Sequence, residues 1–131
     1  SQTASGGELS RLMLGLKTVF TSLMGMETVI FDEIDTGVSG KVAFAIGRKM
    51  KQLSETAQVF CVTHLAPVAA CANTHYMVEK HQDEETTHTN IVYLNEQERI
   101  MELANIASGS QSEHAISSAK ELYEIAQGHR E

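Results

Sequence analysis

The apolar run Thr28-Val29-Ile30-Phe31 stops abruptly at two adjacent carboxylates, Asp32 and Glu33. A run this short, rich in β-branched and aromatic types, reads as a strand buried on both faces. A second buried strand is read over Ala57-Gln58-Val59-Phe60-Cys61-Val62-Thr63, and it ends in His64. Between them, about Lys41 to Leu53, Val42, Ala43, Ile46, Met50 and Leu53 fall on one side of a helix. Strand, helix, strand over this length is a βαβ unit, so the two strands should run parallel with their carboxyl ends side by side. His64 is therefore expected at the same sheet edge as Asp32 and Glu33. In open α/β sheets ligands bind at that edge. Nucleotide hydrolysis needs such a pair of acids, one to hold Mg²⁺ and one to orient or deprotonate the attacking water. The two carboxylates could equally cap the next helix or simply be solvated.

Ahead of this unit stands Ser5-Gly6-Gly7-Glu8. Leu9, Leu12, Met13, Leu16, Val19, Phe20 and Leu23 follow at helical spacing, and Gly25 ends the pattern. Ser5 and Glu8 fit a capping box. The two glycines also leave backbone amides open to an anion at a helix start, and the two readings are compatible. Thr36-Gly37-Val38-Ser39-Gly40 is a turn of small residues. Beyond His64, Leu65-Ala66-Pro67 opens a short helix to about Ala72. A third strand is expected over Thr74 to Lys80, a polar turn over Gln82 to Glu85, and a returning strand over Thr87 to Leu94. Two helices, roughly Gln97 to Ala107 and Glu113 to Gln127, flank Ser108-Gly109-Ser110. With no repeat, low-complexity tract or linker, residues 1–131 read as one domain or a large piece of one. The start at Ser1, without an initiator Met, reads as a cut from a longer protein.

The net charge of −7 is unevenly spread. Residues 66–131 hold four basic and eleven acidic side chains, which argues against a broad nucleic-acid surface there. Lys41, Arg48, Lys49 and Lys51 are the alternative, and a solvated helix face is the favoured reading of them. No apolar run is long enough to span a bilayer. Cys61 reads as a buried thiol in a reducing, cytoplasmic setting.

Ser5-Gly6-Gly7-Glu8-Leu9-Ser10-Arg11 resembles the signature motif of ABC-type ATPases, Val29 to Glu33 their Walker B strand, and His64 their switch histidine. Order and spacing resemble the C-terminal lobe of an SMC-like ATPase head. The strings Phe31 to Gly40 and Thr63 to Ala70 look like those of the RecN family of bacterial DNA-repair proteins, and the tail through Glu96-Gln97-Glu98-Arg99 is also similar. The resemblance implies a P-loop NTPase-like layered α/β core, with a C-terminal hairpin and two helices. It implies ATP and Mg²⁺ as ligands, and an ATPase used in double-strand break repair and recombination. Ser5, Gly6, Gly7 and Glu8 would contact ATP held by an opposite head. Asp32 would support Mg²⁺ through water, Glu33 would be the general base, and His64 would sense the γ-phosphate. Asp35, Thr36, Gly37, Val38 and Ser39 would form the loop crossing the dimer interface, although Ser39 stands where that loop usually ends in Asp. The implied partners are the chain's own N-terminal lobe, a second head across ATP, and DNA, at a nucleoid-associated cytoplasmic location.

No Gly-x-x-x-x-Gly-Lys-Ser/Thr phosphate loop occurs in the sequence. Half a head is therefore expected, one that binds ATP poorly and hydrolyses none alone. Two rivals remain. Asp32, Glu33, Asp35 and His64, or His81, Asp83, Glu84, Glu85 and His88, could hold a metal, though neither spacing matches a standard zinc pattern. The chain could also be a non-catalytic dimerisation module. Cys71, His75, His114 and His129 are read as structural or solvated, and the six methionines as core filling.

Overall fold

The computed structural model describes Gly15, residues 28–32 and residues 38–128. The expected first helix, the Ser5–Glu8 motif and the acids Glu33 and Asp35 lie outside these residues, except that Gly15 is helical. Among the described residues from Thr28 to Gly128, eight elements follow in order: β1 (Thr28–Asp32), α1 (Gly40–Leu53), β2 (Gln58–Val62), α2 (Ala66–Ala70), β3 (Tyr76–Gln82), β4 (Thr87–Tyr93), α3 (Glu96–Ser108) and α4 (Glu113–Ala126). The fold is mixed α/β. β1 and β2 pair in parallel, with Thr28 opposite Gln58 and Asp32 opposite Val62. β3 and β4 pair antiparallel as a separate hairpin, with Tyr76 opposite Tyr93 and Gln82 opposite Thr87.

Local chemistry fixes the helix ends. Ser39 caps α1, its hydroxyl accepting from the Val42 amide at 3.3 Å. Asn95 and Glu98 form a reciprocal capping box on α3, at 2.8 and 3.0 Å. Gly109 closes α3 at φ 69°, a left-handed turn that glycine adopts without a side-chain clash. Ser112 then caps α4 through the Ala115 amide.

Two cores result. α1 lays Ala43, Ile46, Met50 and Leu53 against Val29 and Phe31 of β1, joined by Val68 of α2. The second core is helical: Ala66, Ala69, Ala70 and Cys71 meet Leu103 and Ala104 of α3 and Ala115, Ala119 and Ala126 of α4. The single-turn helix α2 thus serves both. Its approach to α1 depends on Gly47, where a Cβ would fall 2.9 Å from Cys71 Sγ and 3.2 Å from the Pro67 carbonyl oxygen.

The parallel strands are not buried on both faces as the apolar runs suggested. Val29 and Phe31 are buried, whereas Ile30, Phe60 and Val62 are 62%, 52% and 59% exposed. The physical reason is layering. Among the described residues one crossover helix covers one face of this two-stranded sheet, and a parallel sheet needs a second layer to cover the other. The hairpin shows the same asymmetry, with Tyr76, Val78, Ile91 and Tyr93 exposed together. Other expectations shift less. Gln82 belongs to β3, so the polar turn starts at Asp83. The buried thiol is Cys71, with burial pushing its pKa up, while Cys61 is only half-buried. Lys51 is not a free member of a solvated face, because it donates to Gln127 Oε1 at 3.0 Å.

Candidate functional site

The βαβ unit sets the site. Because β1 and β2 are parallel and in register to Asp32 and Val62, both strands deliver their carboxyl ends to one edge. Asp32 is the last residue of β1 and is exposed. Two residues beyond Val62, His64 is also exposed, and its ring makes no hydrogen bond among the described residues. Thr63 Oγ1 accepts from the Leu65 amide at 3.0 Å, so the backbone on both sides of His64 is held. The edge therefore offers an oxygen donor for a hard cation and an imidazole open to a ligand.

Ser39 opens the nearby helix α1, and its cap bond gives it a structural task. Asp could cap the same amide, so the local geometry is compatible with either residue. Val38 is half-buried and packs against the core under β1. The remaining expected positions, Ser5, Gly6, Gly7, Glu8, Glu33, Asp35, Thr36 and Gly37, lie outside the described residues. For Mg²⁺ the described donor set is the Asp32 carboxylate, which suits an ion that keeps several waters and takes one or two carboxylates.

The hairpin metal site gains nothing, and Glu33 and Asp35 of the other rival lie outside the described residues. No group of three His, Cys, Asp or Glu side chains among the described residues could hold a metal ion. On the hairpin, His81 pairs with Glu79 at 3.4 Å and His88 with Asp83 at 3.6 Å, two exposed contacts of little energetic weight. A shallow hollow at the hairpin tip is lined by Gln82 to Thr87 and by none of the edge residues. No helix among the described residues is long and apolar enough to cross a membrane.

One residue behind α2 escapes a reading by charge. Arg99 is only 4% exposed, and its guanidinium bonds the carbonyls of Ala69, Ala72 and Asn73 at 3.2, 2.8 and 3.3 Å. It also lies over the Tyr123 ring, 4.9 Å from the centroid. Its run, Glu96-Gln97-Glu98-Arg99, is singled out in the sequence only by the family resemblance. The available signal was spacing, since Arg99, Leu103 and Ile106 follow at four and three residues and share the buried face of α3.

No family model matches the chain. The DNA repair protein RecN of Halalkalibacterium halodurans is 43% identical over 127 residues, 96% of this chain and 22% of that protein. RecN of Bacillus subtilis is 46% identical over 109 residues, 83% of this chain and 19% of its own length. RecN of Deinococcus radiodurans is 44% identical over 124 residues, covering 93% and 21%. The chain thus spans about a fifth of the length of the curated relatives it matches. In fold it is similar to a chain solved in work on ATP-driven dimerization and DNA-stimulated activation of SMC ATPases. The TM-score is 0.63 at 18% identity, over 80% of this chain and 63% of that one. At 43–46% identity over 83–96% of its residues, the chain is similar to a segment, about a fifth, of the RecN DNA repair proteins.

Proposed function

We propose that this chain is the C-terminal lobe of the ATP-hydrolysing head of a RecN-like DNA-repair protein. The observation that carries the reading is the parallel register of β1 and β2, which puts Asp32 and His64 at one edge. The identity to RecN proteins supports it. In this reading Asp32 holds Mg²⁺ through water, and the ion neutralises charge on the phosphates. Glu33 orients or deprotonates the attacking water. His64 contacts the γ-phosphate and reports its presence. Ser5, Gly6, Gly7 and Glu8 meet ATP bound by a second head, with Asp35 to Ser39 crossing between the heads. DNA and the N-terminal lobe are partners of the whole protein, which acts at the nucleoid in the cytoplasm.

Without a phosphate loop in its 131 residues, the chain alone turns over no ATP. The test is Mg-ATP hydrolysis after mixing it with a separately produced N-terminal segment of a RecN protein that carries the loop. Turnover is expected only in the mixture, and is lost with Glu33→Gln. Association of the two segments without turnover would overturn the catalytic reading. An interaction module would then be favoured by the exposed apolar faces at Ile30, Phe60 and Val62 and at Tyr76, Val78, Ile91 and Tyr93.

A further inference from the structure

We propose that Arg99 is a positioning residue for His64, acting through α2. The proposal rests on the role given to His64 above. His64 lies between β2, which fixes the chain up to Val62, and α2, which starts at Ala66. The sheet thus sets one side of the histidine and α2 sets the other. α2 has five residues, too few to hold a helical turn unaided. At its start the Ala69 amide bonds the Leu65 carbonyl at 3.1 Å, so Leu65, next to His64, is part of the same turn.

The far end of this turn receives an unusual concentration of donors. Arg99 bonds the Ala69, Ala72 and Asn73 carbonyls, and Gln127 Nε2 bonds those of Ala70 and Ala72 at 2.7 and 2.9 Å. Gln127 Oε1 is held in turn by Lys51 of α1. A buried cation is costly unless its hydrogen bonds are met. Here the guanidinium is met by main-chain oxygens at one helix end and by an aromatic face, while Nε stays buried and unbonded. A positive charge at a helix carboxyl end also complements the peptide dipoles there. α3 and α4 therefore grip α2 from behind, and the gripped carbonyls, Ala69 to Asn73, begin five residues from His64. The C-terminal helices, remote in sequence from β1 and β2, set how firmly the histidine is presented.

The test uses the 131-residue chain and three variants, Arg99→Lys, Arg99→Met and Gln127→Leu. Amide hydrogen exchange and the His64 ring resonances are followed by NMR. Loss of charge-assisted bonds is expected to speed exchange at Leu65, Ala69, Ala70 and Cys71 by at least about tenfold in Arg99→Met. The His64 resonances should move toward those of an unstructured histidine, with β1 and β2 unchanged. Arg99→Lys should be intermediate, because it keeps the charge and loses the fork. If Arg99→Met does not fold, Gln127→Leu tests the same helix end and should show the same local pattern more weakly. Uniform acceleration along the chain, or loosening of α2 with the His64 signals unmoved, would overturn the proposal. In the two-segment ATPase mixture the Arg99 variants should lower kcat with KM unchanged. Loosened His64 in the variants, with no turnover in the wild-type mixture, would uphold the positioning and remove the ATPase reading.

Discussion

The two sheets among the described residues are each two strands wide, yet they are built on different terms. β1 and β2 are joined by a crossover helix that covers one of their faces and supplies most of their core. β3 and β4 are joined by a four-residue turn, closed by an Asp83 amide to Thr86 carbonyl bond of 2.8 Å, and rely on contacts between neighbouring strands. Tyr76 and Tyr93 illustrate the second style, meeting edge to face at 5.8 Å on an exposed surface. A parallel pair cannot form locally, so its edge is fixed only when the helix is in place. That dependence suits a strand end that must hold a carboxylate and a histidine in register. The hairpin carries no such burden, and its ionisable tip is solvated.

The comparison breaks first at Phe31, which is fully buried beneath α1. Phe31→Ala should cost about 3–5 kcal/mol, read as a lower urea midpoint. Exchange protection should be lost in β1 and β2 before the hairpin opens. Gly47→Ala is expected to come next, at about 1–3 kcal/mol, because the added methyl meets Cys71 and the Pro67 carbonyl. A Gly47→Ala protein of unchanged midpoint would mean that α1 and α2 can separate freely. Tyr76→Ala on the hairpin should cost only about 0.5–1.5 kcal/mol beyond its small loss of buried area. A larger cost would show the hairpin to be as integral as the parallel pair.

The smallest expected effect is a pH dependence seated at the hairpin base. His75 has its pKa lowered from 6.5, by burial first and then by the Arg99 charge. The unfolded chain therefore binds the proton more readily than the folded one. Stability is undiminished above pH 6.5, declines as the pH falls below it, and levels once His75 is charged in the fold as well. Comparing urea midpoints at pH 7.5 and 5.5 for wild type and His75→Gln isolates this part. An equal decline in both proteins would place the titration elsewhere.

Much of this organisation is legible in the residues. The distance from Phe31 to Val59, filled by one amphipathic helix, requires a crossover, and the parallel register follows. The exposed faces were not legible, because Ile30, Phe60 and Val62 look the same in sequence whether or not another layer covers them. Arg99 was missed for the opposite reason. A charged residue beside two glutamates reads as solvated, and only its spacing from Leu103 hints that it turns inward. The edge itself is half described. Asp32 and His64 stand where the βαβ rule puts them, while Glu33 and the Ser5–Glu8 motif lie outside the described residues.

α2 is one short turn that contributes Val68 to one core and Ala66, Ala69 and Ala70 to the other. Neither core can be cut away without opening the other. Splitting or lengthening the chain anywhere from Thr63 to Asn73 should therefore abolish both halves together. A break in the turn from Asp83 to Thr86, which no core residue occupies, should leave two pieces able to reassemble.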